Sequence, residues 1–422
     1  MKVLHTSDWH IGKKLGSVDR TDEFLAAIQE LHAICQSRSV DAVLLSGDVW
    51  DKGTPTPALM DIGIDAMRKL SNDGAIPVIA IAGNHDSAPF FEAMGKILKP
   101  YNIHFVGDVK PPDVGGIVKV ETNGGPLAVG CVPFLRRGTA VDLMSDSSGW
   151  YGQYQEKLRD IFEYYAQSLA IHQSHGAVAM LMAHATVHGA DVRLEAGTQR
   201  GERSLHMGED YAIEGSDFPA SIQYVAMGHI HAPQSITNSS VPAEYAGTLL
   251  PLDFGERNER KRVVLVEAVP GTRARIESVE LTTASRRPLV RLTGDWETIM
   301  DARNKLLTEL PLSNPHLDPN EGPYFDIVVE TDGADLGLGD MVRENFANVV
   351  KVRSNYEHFD IPVESRRDKP FAESYKEYFQ AEYGRVPDAD LMNVFAQVLE
   401  QTESQLEQDL MTTHLEGDDA TD

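Results

Sequence analysis

Five short fragments carry residue types suited to a two-metal hydrolytic site: Asp8-Trp9-His10, Gly47-Asp48-Val49-Trp50-Asp51, Gly83-Asn84-His85-Asp86, Ala183-His184 and Gly228-His229-Ile230-His231. Hydrolysis of a phosphodiester needs a hydroxide at neutral pH and a way to spread charge over the transition state, and two divalent ions about 4 Å apart supply both. Asp48 is the natural bridge, because one carboxylate can give an oxygen to each ion. Asp8 and His10, two apart on an extended segment, point to the same side and can chelate one ion. His229 and His231 share that spacing and can divide between the two, while His184 and the Asn84 side-chain carbonyl complete the second. Two ions bring about +4, Asp8 and Asp48 about −2 and a hydroxide about −1, leaving a slightly positive site that suits an anionic ester. Four imidazoles favour manganese, iron or zinc over magnesium. His85, beside a ligand, is expected to stabilise the transition state or protonate the leaving group. Asp51, three residues past the bridge, is expected to accept a hydrogen bond from His85 and fix its tautomer.

Each fragment follows an apolar run that reads as a buried strand: Val3-Leu4, Val43-Leu44-Leu45, Val78-Ile79-Ala80-Ile81, Met180-Leu181-Met182 and Tyr224-Val225-Ala226-Met227. Ligands at the ends of adjacent strands converge in space. Between the first three runs, Phe24, Ala27, Ile28, Leu31 and Ile34, then Leu59, Ile62, Ala66, Met67 and Leu70, fall at helical spacing, so the order is β-α-β-α with crossover helices. Residues 117–132 read as a hairpin about Thr122-Asn123-Gly124-Gly125, Tyr154 to Gln173 as a long helix, and 262–269 and 275–281 as two closing strands.

The chain has 422 residues, more than one core usually holds, so several domains are expected. A first domain spans 1–281, a small α+β unit 289–360, and a helical region 361–412. In the last, Leu391, Val394, Phe395, Val398 and Leu399 mark an amphipathic helix capped by Asp388 or Asp390, and an acidic tail, 413–422, ends the chain. No apolar stretch approaches the roughly 20 residues that span a bilayer. The opening residues turn polar after Val3-Leu4, so no leader is expected and the location is taken as cytoplasmic. Two cysteines, Cys35 and Cys131, exclude a disulfide framework. The net charge of −26 opposes nucleic-acid binding, an objection softened by the charge of the metals and by any basic surface on a partner subunit.

Taken together, these residues resemble the calcineurin-like metallophosphoesterase superfamily, whose pattern is D-x-H, G-D-x-x-D, G-N-H-D/E, H and G-H-x-H. Residues 5–12, 46–51, 82–87 and 227–231, with Val132-Pro133-Phe134-Leu135-Arg136 and Tyr245-Ala246-Gly247-Thr248, are similar to its SbcD branch of bacterial nuclease subunits. That resemblance implies a four-layer α-β-β-α sandwich with a small capping domain, then C-terminal helices that dock a partner. It implies manganese, with Asp8, His10, Asp48 and His231 on one ion, Asp48, Asn84, His184 and His229 on the other, and His85 catalytic. It also implies a homodimer joined to SbcC-type ATPase subunits. The activities implied are 3′–5′ exonuclease action on double-stranded DNA ends and endonuclease action on single strands and hairpins, in recombination, replication and repair. Archaeal relatives carry a second catalytic histidine where this chain has Asp51. No Gly-x-x-x-x-Gly-Lys-Ser/Thr loop occurs here, so ATP dependence would come through the partner.

Candidate DNA contacts are Lys13, Lys14, Arg136, Arg137 and Arg257, with Arg200, Arg203, Arg260, Lys261 and Arg262 behind them, all near expected loops after strands. His188, four residues past His184, is a weak site candidate, Asp86 is either a support for the ligands or a cap, and the remaining histidines read as surface or packing residues. Two other readings compete: a stand-alone phosphodiesterase or phosphatase, which the acidity suits, and a non-catalytic scaffold, which the complete ligand set argues against.

Overall fold

A computed structural model describes residues 1–135, 154–190, 212–309, 322–333, 337–356, 371–383, 385–389 and 391–399. They fall in two compact units, Met1–Val290 and Arg291–Asp422.

The first unit opens with β1 (Lys2–Thr6), α1 (Thr21–Arg38), β2 (Ala42–Leu45), α2 (Pro57–Leu70), β3 (Val78–Ile81), α3 (Ala88–Leu98) and β4 (Ile103–Val106). The strands pair in parallel, β1 with β2, β2 with β3 and β3 with β4, as crossover helices require. Then come β5 (Ile117–Thr122), β6 (Gly125–Val132), α4 (Tyr154–Ser174), β7 (Val178–His184), β8 (Thr186–Val187), β9 (Ala212–Ile213), β10 (Tyr224–Gly228), β11 (Gln234–Ser235), β12 (Ala243–Tyr245), β13 (Arg262–Glu267) and β14 (Arg275–Glu280). β5 and β6 form the expected hairpin. One sheet runs β14-β13-β1-β2-β3-β4 and the other β11-β12-β10-β7-β6-β5.

Alternation along the strands builds the layers. Leu4, Val43 and Leu45 face α1, α2 and α3, in one core with Phe24, Leu31, Met67 and Phe91. Val3, Ala42, Leu44, Ile79 and Ile81 face the other way and meet Val129, Cys131, Met180, Met182 and Ala226 of the second sheet. Leu181, Ala183 and Val225 face α4 through Leu158, Phe162 and Leu169. The result is the α-β-β-α sandwich that the family resemblance implies. Burial pushes both thiols, Cys35 and Cys131, up to about 12, and both are free.

The second unit is a three-stranded sheet, β15 (Leu289–Gly294), β16 (Tyr324–Glu330) and β17 (Val349–Asn355), with α5 (Trp296–Glu309) and α6 (Leu338–Asn345). Ile299, Phe325, Ile327, Val342 and Phe346 are buried there. α7 (Phe371–Tyr383) precedes a helical stretch, 391–399, whose Leu391 N–H is capped by Asp388 Oδ1 at 2.9 Å. The apolar stripe divides: Phe395 stacks on Tyr375 of α7 at 4.1 Å, while Val394 and Val398 are exposed. The sequence-expected tail, 413–422, and residues 361–370 and 400–412 of the helical region lie outside the described residues. Among the described residues no helix is long and apolar enough to cross a membrane.

Candidate metal centre

Loops leaving β1, β2 and β3 meet those leaving β7 and β10. The first two are zipped together by the main chain: Asp8 N–H donates to Gly47 O at 3.0 Å, His10 N–H to Asp48 O at 2.9 Å and Ile11 N–H to Val49 O at 3.0 Å. Asp8, His10, Asp48 and His229 hold φ of 49°, 47°, 51° and 99°. Non-glycine residues enter that left-handed region at a cost of about 1–3 kcal/mol each, and such strain concentrates at functional sites. Three glycines of the fragments are sterically obligatory, Gly83 among them, where a β-carbon would run into the Asp48 carboxylate. At Gly47, where φ is +97°, a β-carbon would run into the His184 ring, and at Gly228 it would overlap the Ser46 carbonyl.

The side chains converge. His10 Nε2 lies 3.1 Å from His231 Nε2 and 3.5 Å from Asp48 Oδ2. His184 Nε2 also lies 3.5 Å from Asp48 Oδ2, so that single oxygen sits between histidines from two sheets. Asn84 Oδ1 is 3.0 Å from both His184 Nε2 and His229 Nδ1. Asp8 accepts the His229 main-chain N–H at 3.0 Å. Asp8, His10 and His231 form one compact group of potential ligands and Asp8, Asp48 and His184 a second. A third, unforeseen, joins His10 to Asp51 and His85. Every sequence-expected ligand is thus brought together: Asp8, His10, Asp48, Asn84, His184, His229 and His231.

The donor set fits divalent cations. His184 Nδ1 donates to Ser46 O at 2.8 Å. In the neutral ring its other nitrogen therefore offers a lone pair toward the Asn84 carbonyl and the Asp48 carboxylate, an assembly of acceptors that a cation closes. Proton affinities report the same anionic well. Burial lowers His184, but the Asp48 carboxylate, its hydrogen bond and Asp8 push it up to about 9. Burial raises Asp48, yet His184, then His10 and His85, hold it well below the carboxylate range. Burial raises Asp8.

His85 is anchored through Asp51, although not as expected. Its Nδ1 donates to the Asp51 main-chain carbonyl at 2.9 Å, and its own N–H donates to Asp48 Oδ1 at 2.8 Å. The Asp51 carboxylate turns instead to Lys13 Nζ at 3.0 Å, with His10 Nδ1 at 3.9 Å. A carbonyl only accepts, so it fixes the Nδ1–H tautomer without adding a negative charge beside the ring. Lys13 consequently stands at the site itself, whereas Lys14 is exposed on the same loop.

Of the other basic candidates, Lys261 is corrected outright: it is buried between Glu256 at 2.8 Å and Glu259 at 2.6 Å and does not face solvent. Arg262 pairs with Glu244 at 2.6 Å, Arg257 donates to Phe254 O at 3.0 Å, and Arg260 is exposed. Arg136, Arg137, Arg200 and Arg203 lie outside the described residues. His188 is exposed and absent from the ligand groups.

Asp86 resolves as a support for the ligands. It accepts N–H groups from Gly83 at 3.0 Å, Val49 at 3.3 Å and Trp50 at 3.4 Å, tying the Asp48 loop to the Asn84 loop. Burial, then the Asp48 charge, raises its carboxyl to about 7. Two residues next to the site escaped sequence reasoning. Glu256 Oε1 meets His231 Nδ1 at 3.0 Å, from a position 25 residues downstream that no ligand spacing marks. Phe134 lies edge-on to the His184 ring at 6.1 Å, and its motif gave it no role.

Comparison with known proteins gives a consistent result. Residues 1–233 match the family model "Calcineurin-like phosphoesterase". The chain is 27% identical to the SbcD subunit of the SbcCD nuclease of Bacillus subtilis, over 94% of its own length and 97% of that protein. It is 31% identical to the Escherichia coli K12 protein of the same description, over 71% and 72%. A solved dimetal phosphatase from Danio rerio aligns over 66% of this chain and 99% of its own, at 10% identity with a TM-score of 0.40.

Proposed function

The chain belongs to the calcineurin-like phosphoesterase family and, within it, to the nuclease subunits of the SbcCD type, and from that premise we propose that this site hydrolyses DNA phosphodiesters with two manganese ions. It is a metal-dependent phosphodiesterase. The observation that carries the reading is the Asp48 Oδ2 atom, 3.5 Å from both His10 and His184 with Asn84 and His229 beyond. Asp8, His10, Asp48 and His231 would hold one ion, and Asp48, Asn84, His184 and His229 the other. When bound, such a pair lowers the proton affinity of water and offsets the charge of the phosphoryl group.

The protein's own groups complete the mechanism. The Asp51 carbonyl holds His85 by Nδ1–H, which leaves Nε2 as the nitrogen that, when the ring is doubly protonated, gives its proton to the departing oxygen and returns to the Nδ1–H tautomer. Asp86 keeps the two loops beneath it in register. Lys13, tethered to Asp51, places a cation where the scissile strand's backbone would pass. Lys14 and Arg257 extend that contact.

The relatives' shared description as parts of SbcCD supports an SbcC-type ATPase partner, through which any ATP dependence would act. The remaining proposals are a homodimer, a capping role for residues 289–360, partner docking by the C-terminal helices, and a cytoplasmic place in recombination, replication and repair. So are 3′–5′ exonuclease action on duplex ends and endonuclease action on hairpins and single strands. The net charge of −26 favours a second reading, a stand-alone phosphodiesterase for small esters. Purified protein with manganese, given linear duplex, hairpin DNA and a chromogenic phosphodiester, separates them. Cleavage of DNA supports the first reading. Turnover of the small ester alone, even with the ATPase partner added, selects the second.

A further inference from the structure

His231 is gripped from both ends by a buried charged pair outside the ligand fragments. Glu256, at the end of a short 3-10 turn (Phe254–Glu256), takes the ring by Nδ1 at 3.0 Å. Lys261, just before β13, takes the main-chain carbonyl of the same histidine at 3.1 Å. The two are joined at 2.8 Å, and both are 1% exposed. Glu256 Oε2 also accepts from Leu252 N–H at 3.0 Å and Thr248 Oγ1 at 3.4 Å, and Lys261 also meets Glu259 at 2.6 Å. Burying a charge is costly unless it is paired and fully hydrogen-bonded, as this pair is. The contrast with His184 is informative, because a neutral carbonyl, Ser46 O, backs that ring in the same way. A carboxylate behind an imidazole fixes its tautomer more firmly and strengthens the opposite nitrogen as a donor.

We propose that Glu256, braced by Lys261, is a positioning residue that turns His231 Nε2 toward His10 and Asp8 and so makes that cation position tighter than the one formed by His184, Asn84 and His229. The inference rests on the reading of His231 as a metal ligand. The two positions are then inequivalent by construction. One has a charged brace behind His231 and the other a neutral carbonyl behind His184, so they fill in sequence as metal rises.

Manganese titration of E256Q against the unaltered protein, followed by electron paramagnetic resonance and equilibrium dialysis, tests this. E256Q leaves Lys261 with Glu259 and the His231 carbonyl, and metal-free melting reports whether the fold is kept. The expected result is two ions in the unaltered protein, and in E256Q a loss of about 10- to 100-fold in affinity for one ion only. T248V, which touches the same carboxylate without altering its charge, should bind as the unaltered protein does. Two ions bound to E256Q with unchanged affinity would overturn the proposal, as would equal weakening of both. A lowered melting temperature with intact affinity would also overturn it, leaving a purely structural role. Fewer than two ions in the unaltered protein would instead remove the metal-site reading beneath it. A measurement without mutation guards against misfolding of E256Q. In the zinc-loaded protein, imidazole ¹⁵N shifts should show His231 protonated at Nδ1, and protonation at Nε2 would refute the brace.

Discussion

Replacing Asp86 by alanine should unfasten the site from below without touching a proposed ligand. The side chain is 1% exposed and accepts three main-chain N–H groups, from Gly83, Val49 and Trp50. Each buried donor left without a partner costs about 1–3 kcal/mol, so with three of them D86A should lose about 3–9 kcal/mol. That is a large share of the roughly 5–15 kcal/mol that holds a typical domain together. At about 2–4 °C per kcal/mol, the first unit should melt on the order of 10 °C lower. D86N keeps one acceptor oxygen for the Gly83 and Val49 groups and turns an amide toward Trp50, so it should fall between. Differential scanning calorimetry of the three proteins without metal, with manganese affinity measured alongside, is the assay. A shift under about 2 °C for D86A, or equal melting of D86A and D86N, would refute the idea that this carboxylate ties the Asp48 and Asn84 loops together.

Two further outcomes are expected. H85A should retain both manganese ions, because all seven proposed ligands and the main-chain N–H that His85 gives to Asp48 remain, and should lose about 10²- to 10⁴-fold in turnover; lost metal binding would refute the role given to His85. Metal-free stability should fall as pH rises from about 6.5 to 9, read as urea midpoints. The folded state raises His184 from 6.5 to about 9, so its contribution is complete below 6.5 and lost through 9. Manganese should flatten that decline by replacing the proton, and a midpoint that climbs over the window without metal would contradict the anionic well described at Asp48.

The strands and crossover helices were legible because the strands alternate and the helices keep a helical repeat: Val3 and Leu4 sort to opposite cores, and Phe24 to Leu31 mark α1, whereas the stacking into four layers followed from the family resemblance alone. The seven proposed ligands were legible for a different reason. Each sits within a few residues of a strand end, so sequence spacing nearly equals spatial spacing. The supports were not. Glu256 reaches His231 across a loop, and the turn of the chain at Asp51 decides that a carbonyl rather than a carboxylate meets His85. Lys261 misled because a lysine beside arginines reads as surface, and only the fold reveals Glu256 and Glu259 enclosing it.

The most direct measurement is a crystal soaked in manganese and read by anomalous scattering. Two peaks about 4 Å apart are expected, sharing Asp48, with Asp8, His10 and His231 on one side and Asn84, His184 and His229 on the other. A single peak, or an Asn84 carbonyl turned away from both, would contradict the two-metal account.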